Sequence, residues 1–296
     1  MKSVLFFVIV MVVFMCAGSD QKKFNSLWYD GNAEISTYSL EQFQYGETRQ
    51  GTRVMVFVTE PMRLENNIKP DVRLADELMV RVIKLNDHRH FVTGIYDYTV
   101  MTSVFTSVEN KKPYGNMATM KVAFSSQEWC GMVFERIIRK PGRYEGSLYS
   151  YFETPGEQSY HFSADKLQTE DNLWIRVREL NGPFLKEGES KEITLLPSRW
   201  ILRKTHQKDG AVEAVVSKGQ SQKRSTSLGE IDVMPFSWTI DTAVTTVWVE
   251  KAYPRRIVEF CERDGSSGKL IVSRREPYWK QSSNEFLHLR QELGLE

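Results

Sequence analysis

MATMKVAFSSQEWCGMVFERIIRKPGRYEGSLYSYF, residues 117–152, decides the fold class. It opens with Ala118, Met120, Val122 and Phe124 alternating against Thr119, Lys121, Ala123 and Ser125. A period of two puts the first set on one face of a strand. Ser125-Ser126-Gln127-Glu128-Trp129-Cys130-Gly131 interrupts the alternation and reads as a corner. Two more extended runs follow, Met132 to Arg139 and Tyr144 to Phe152, separated by Lys140-Pro141-Gly142-Arg143, which is turn chemistry. The stretch is therefore a three-strand meander.

Working outward, the same texture recurs. Ala33 to Tyr45 is extended, but its apolar positions slip from odd to even and back, which predicts a bulge. Thr52 to Thr59, Glu77 to Leu85 and Phe91 to Val108 read as strands, with Asn86 to His90 as a polar turn between the last two. Past Phe152, Asp165 to Leu180 is a candidate helix with Asp171 as N-cap. Lys191 to Leu196, Trp200 to Thr205 and Val212 to Ser217 read as strands, and Gly219 to Ser227 as an exposed loop. Ala243 to Glu250, Arg256 to Arg263 and Lys269 to Arg275 form a second meander, and Ser283 to Leu295 closes as a short amphipathic helix. Turns leave little room for crossover helices. The expectation is a mainly β, β-heavy α+β fold: a strongly curved antiparallel sheet or open half-barrel, with one or two helices packed on its concave side. Residues 19–296 are read as one β-rich domain, with a candidate subdivision near residue 165.

Residues 1–18 read as a signal peptide. Lys2 is the only charge before Asp20, and Val4 to Phe14 is apolar throughout. That run is short of the roughly 20 apolar residues a spanning helix needs. Cleavage before Ser19 is expected. Cys16 offers the alternative of a lipidated first residue, the one route to membrane contact. The expected location is the periplasm or the periphery of the outer membrane. Of 39 basic residues, removal of Lys2 leaves 38 against 38 acidic ones, so no global field draws the chain to nucleic acid. Cys130 and Cys261 remain, and an oxidising compartment makes a disulfide between them a candidate. No metal or cofactor is expected: five scattered His and two distant Cys provide no ligand spacing.

Trp28-Tyr29-Asp30-Gly31-Asn32-Ala33-Glu34, Tyr45-Gly46-Glu47, Phe57-Val58-Thr59-Glu60 and Ser126-Gln127-Glu128-Trp129-Cys130-Gly131 together resemble an uncharacterised family of exported Gram-negative proteins. Some members are labelled septum-formation inhibitors of the Maf type. The Ser-x-Ser-Pro-Arg-Arg start of Maf pyrophosphatases has no counterpart here. The C-terminal meander, with Arg274-Arg275 and Tyr278-Trp279, resembles the curved sheet of periplasmic lipoprotein carriers. That second resemblance implies an open, curved sheet, and neither resemblance supplies an activity.

Four constellations are candidates. Gln127, Glu128, Trp129 and Cys130 suggest a thiol beside a carboxylate, or simply a corner with a core Trp and a packed Cys. Asp87, His88 and His90 suggest a metal site or a solvated turn. Arg255, Arg256, Arg263, Lys269, Arg274 and Arg275 suggest a basic face or cross-strand pairs with nearby glutamates. Tyr96, Tyr98, Tyr149, Tyr151, Trp200, Trp238 and Trp248 suggest an aromatic pocket for an apolar or lipid-like ligand. The leading expectation is a non-catalytic binding or carrier role. An envelope scaffold holding a protein partner is the alternative, and a thiol-dependent enzyme using Cys130 the third; no catalytic residue is assigned.

Overall fold

The computed structural model describes residues 21–206 and 209–295. The signal-peptide reading and Cys16 lie outside these residues. A helix, α1, covers 21–28. Eight strands follow: β1 (Ala33–Gln44), β2 (Glu47–Arg63), β3 (Met79–Thr93), β4 (Tyr96–Ser107), β5 (Thr119–Glu128), β6 (Gly131–Lys140), β7 (Arg143–Ser150) and β8 (Gln158–Ser163). After β9 (Leu167–Thr169) come α2 (Glu170–Arg176), β10 (Ser190–Leu196) and α3 (Arg199–Thr205). The chain then runs through β11 (Val212–Lys218), β12 (Gln222–Thr226), β13 (Gly229–Ile240), β14 (Ala243–Glu250), β15 (Ile257–Cys261) and β16 (Ser267–Glu276) to α4 (Leu289–Glu292).

All sixteen strands belong to one nearly closed, barrel-like sheet. Its order is β8-β7-β6-β5-β4-β3-β2-β1-β16-β15-β14-β13-β11-β10-β9, with β12 beside β11 along β13. The two meanders meet where β1 pairs antiparallel with β16, Ala33 opposite Glu276. The free edges, β8 and β9, are neighbours in sequence. Every pairing is antiparallel except β9 with β10. The irregularity expected in β1 is a register shift at Thr37/Tyr38.

α2 and α3 occupy the concave side. In α2, Glu170 to Ile175 are buried on every face, as only an interior helix can be. Trp174 packs edge-on to Trp238 and Phe260, at 5.7 and 5.5 Å between ring centres. The main core gathers Tyr38, Phe57, Leu85, Val122 and Ile137 from one meander, and Phe236, Val247 and Phe260 from the other.

Several local expectations are corrected. Asn86 to His90 is not a turn but the middle of β3. Strand alternation sends Asp87 and Arg89 inward beside Leu85 and Phe91, and leaves His88 and His90 on the other face. The run Phe91 to Val108 is broken after Thr93 by a two-residue hairpin loop whose Gly94 has φ +64°. Trp200 to Thr205 is helix rather than strand, because Trp and Ile serve either state and burial of Trp200 decides. The candidate helix 165–180 shortens to Glu170–Arg176, with Thr169 as N-cap in place of Asp171. The loop at 219–227 contains β12. The closing helix is reduced to a 3-10 turn at Asn284–Phe286 and the single turn of α4.

The interior is polar as well as apolar. Arg53, fully buried, donates to both oxygens of Asp87 at 2.7 Å. Its guanidinium lies 4.0 Å from the Trp174 ring centre and 4.4 Å from that of Phe260. Arg89 forks onto Glu262 at 2.7 and 2.8 Å. Burial alone would raise the Asp87 carboxyl, but Arg53 and then Arg89 outweigh it and hold it below its ordinary value. Interior charge is thus answered by interior charge.

Candidate functional site

Because β1 to β8 run up and down in order, the turns β1–β2, β3–β4, β5–β6 and β7–β8 share one end of the sheet. At that end a cavity of about 480 Å³ lies between α3 and the inner face of β5 to β8. Phe124, Val133, Leu148 and Leu202 form its apolar wall. Alternation explains the set: Val133, Glu135 and Ile137 share the inner face of β6, while Leu148 and Gly146 share that of β7. The volume falls within the range of ordinary ligand pockets.

The polar groups of this cavity are held by one another. Arg199 donates to Glu135 Oε1 at 3.0 Å, to Asp209 at 2.7 and 3.1 Å, and to the Pro197 carbonyl at 2.6 and 3.1 Å. Burial would lower its pKa, but Glu135 and Asp209 more than compensate, so it stays a cation. The Tyr160 hydroxyl donates to Glu135 through a short bond. Burial, then the charge of Glu135, pushes that phenol far up. At the rim, Arg203 lies 4.7 Å over the Phe152 ring and forms no ion pair among the described residues; Glu153 and His206 complete the mouth. These contacts make no nucleophile–base pair. They make a neutralised floor under an apolar wall.

The apolar wall continues into a cluster of rings. Phe91 stacks on Tyr98 at 5.0 Å and 6°. Trp200 sits 6.3 Å from Phe91, 6.5 Å from Tyr98 and 6.4 Å from Phe124. Tyr96 joins at 6.0 Å from Tyr98 and passes the contact on to Trp129 at 6.3 Å. The Tyr98 and Tyr45 hydroxyls are 2.6 Å apart. Of the seven aromatics expected to line one pocket, Tyr96, Tyr98 and Trp200 come together here. The other four do not. Trp238 is in the main core, donating from Nε1 to Glu170 at 2.9 Å. Trp248 lies on the opposite meander with the Arg224 guanidinium 4.0 Å from its ring. Tyr149 and Tyr151 are 50% and 74% exposed, because their positions on and just past β7 face outward.

The Gln127–Cys130 motif is also re-read. β5 continues to Glu128, which pairs with Gly131, so the corner is only Trp129-Cys130. Trp129 is 71% exposed and Cys130 and Gln127 are exposed, so neither Trp nor Cys is core material. The Cys130 N–H donates to Glu128 at 2.5 Å, and hydrogen bonding and charge from that carboxylate push the thiol pKa up. Cys130 and Cys261 are both free, on a hairpin turn and at the end of β15, so the candidate disulfide is not formed. Four of the six basic C-terminal residues are paired: Arg256 with Glu250 at 2.8 Å, Arg263 with Glu170 at 3.1 Å, Arg274 with Glu276 at 3.5 Å and Arg275 with Asp30 at 2.8 Å, while Arg255 donates to the Glu179 carbonyl. Glu135, Arg199 and Tyr160 were not singled out in the sequence. The available signal was a glutamate on the apolar side of β6.

A larger groove, about 560 Å³, lies outside the sheet near Tyr29, Pro61 and Asp71. Its charged walls pair locally, Arg81 with Glu109 at 2.9 Å, and behind its Tyr29 lie the rings of Phe24 and Trp28. The inner cavity differs in lying inside the sheet beneath α3, against the Trp200 ring cluster.

No family model matches the chain, and no curated protein matches it. A solved structure, the crystal structure of a β-barrel-like protein of domain of unknown function DUF1849 from Brucella abortus, is similar at a TM-score of 0.46 and 10% identity. The match covers 82% of this chain and 96% of that one.

Proposed function

We propose that this chain is a non-catalytic binding or carrier protein of the cell envelope that takes a small amphiphilic, lipid-like molecule into the cavity beneath α3. One observation supports the reading above others. The cavity has an apolar wall continuous with a buried ring cluster, and the charged groups of its floor, Glu135, Arg199 and Asp209, already satisfy each other. An apolar chain laid against Phe124, Val133, Leu148 and Leu202 would gain about 0.8 kcal/mol per buried methylene. Its polar head would sit at the rim among Glu153, Arg203 and His206. The test is titration with the fluorescent apolar probe N-phenyl-1-naphthylamine. Wild type is expected to bind saturably, and Leu148→Trp, which fills the cavity, to bind at least about tenfold more weakly with an unchanged melting temperature. Equal binding by the two proteins would refute the site.

A second reading rests on the rim of hairpin turns at the same end. Tyr45, Ile95, Trp129 and Tyr151 lie at or beside four successive turns, and all are well exposed. Exposed apolar residues gathered at one end mark a contact surface. In this reading the chain is a scaffold for an envelope protein. A partner lost from the double variant Trp129→Ala/Tyr151→Ala, with probe binding unchanged, would favour it.

A further inference from the structure

At the opposite end of the same four strands lies a second, smaller cavity of about 210 Å³. It is separate from the cavity beneath α3: Glu135 and Arg139 are four residues apart on β6, roughly 13 Å along the strand. Three cations line it, Arg139 from β6, Lys166 from the β8–β9 connection and Arg176 from the last turn of α2. No aspartate or glutamate is among its lining residues. None of the three cations forms an ion pair among the described residues. The buried arginines Arg53, Arg89, Arg178, Arg199 and Arg263, by contrast, each face a carboxylate.

Arg176 is the informative member. It is half-buried, and one of its N–H groups donates to Gln168 Oε1 at 2.7 Å. Its guanidinium packs 4.2 Å from the Phe184 ring centre. Burial lowers its pKa, and no neighbouring anion opposes that effect. A guanidinium held so has N–H donors left over and lacks a counter-charge. Arg139 lies 5.6 Å over the Tyr144 ring and acts on its hydroxyl, which also makes 3.5 Å contacts to the Thr119 and Leu167 carbonyls. The backbone is strained on both sides of the opening: Met117 and Lys166, which line it, have φ of +60° and +54°. Such conformations persist where the surroundings over-determine them and are concentrated at ligand sites.

We infer that this cavity binds a phosphate-type oxyanion, held by Arg139, Lys166 and Arg176. Three positive charges suit a dianion better than a single carboxylate, and guanidinium forks match tetrahedral oxygens. A phosphate monoester carries about 1.5 to 2 negative charges at neutral pH, and inorganic phosphate is a mixture of monoanion and dianion there. The shared chemistry comes from two sources, free phosphate or the phosphate of a lipid headgroup. The inference does not rest on the cavity beneath α3.

The test is isothermal titration of the full chain, at constant ionic strength and pH 7.5, with inorganic phosphate and separately with a short-chain phosphatidic acid below its micelle concentration. Variants are Lys166→Gln, Arg176→Gln and Leu148→Trp. Lys166 is exposed and unpaired, so its variant retains the fold even if Arg176→Gln does not. Saturable binding of inorganic phosphate, weakened about tenfold or more by Lys166→Gln but not by Leu148→Trp, supports a soluble phosphate ligand. The same pattern with phosphatidic acid alone supports a lipid headgroup. If neither probe saturates with wild type, or if Lys166→Gln leaves both affinities unchanged, the site is overturned.

Discussion

Replacing Asp171 by Asn should make this protein more stable at pH 7.5. Asp171 is in the first turn of α2, inside the sheet, where burial pushes its carboxyl up to about 6. Arg199 and Ser198 pull it back only in part, and the neighbouring Glu170 adds to the rise. Other charges around it are committed elsewhere: Arg263 is bound to Glu170, and Arg199 to Glu135 and Asp209. An unfolded aspartate titrates near 3.9. Between about pH 4 and 6 the native state therefore holds a proton that the unfolded chain releases, and stability falls as pH rises through that window. Above about pH 6 the penalty is complete. Moving the titration from about 3.9 to about 6 corresponds to on the order of 3 kcal/mol. An asparagine oxygen can still accept the Arg199 backbone N–H, now 3.3 Å from Asp171 Oδ2. Urea denaturation of wild type and Asp171→Asn at pH 7.5 and pH 4 measures the effect. The expected gain is about 2–3 kcal/mol at pH 7.5 and close to zero at pH 4. A loss at pH 7.5, or a gain independent of pH, would refute the reasoning.

Asp87→Asn should do the reverse. It leaves the buried Arg53 and Arg89 to share one carboxylate, Glu262, which is 3.6 Å from Arg53, and should cost roughly 3–5 kcal/mol at neutral pH. Because the folded Asp87 pKa is depressed, that difference should shrink as pH falls below about 4, which urea titrations at pH 7 and pH 3 would show. Cys130 should react with iodoacetamide at pH 7 no faster than an ordinary exposed thiol, and Glu128→Gln should speed it; a faster wild-type reaction would revive a nucleophilic role. Trp200→Ala empties the centre of the ring cluster and should cost roughly 3–5 kcal/mol, read as a lower urea midpoint. Gly146→Ala should also destabilise, since its Cβ would lie 2.0 Å from the Tyr160 ring, and near-ultraviolet circular dichroism should report the displaced tyrosine.

The strand periodicity of residues 117–152 carries over into β5, β6 and β7 with small changes at the corners. Alternation is local, so one sequence displays it. The curved antiparallel sheet with interior helices followed from the same reading. What failed was also local in form but tertiary in cause. Asn86 to His90 resembles a turn because its residues are polar, and only a charged interior makes Asp87 and Arg89 strand residues. Trp200 looked like a strand because β-prone residues surround it, whereas the concave side requires a helix there to bring Trp200 against Phe91 and Phe124. The seven candidate aromatics divided for a reason visible only with the pleat in hand: Tyr149 occupies the outward set of β7, while Leu148 occupies the inward one. Glu135 was detectable in principle, as a charge at an apolar position of the period-two pattern. Its partner Arg199, which Asp209 also binds, was not, since it is 64 residues away and arrives with α3.

The central claim is that the cavity beneath α3 holds a lipid-like molecule. The most direct measurement is the intact mass of the chain, purified gently from cells that make it, recorded under native and then denaturing conditions. The account predicts a native mass above the denatured one, with the excess identified as an amphiphile and absent from Leu148→Trp. Equal native and denatured masses, in a protein that also fails to bind the apolar probe, would contradict it.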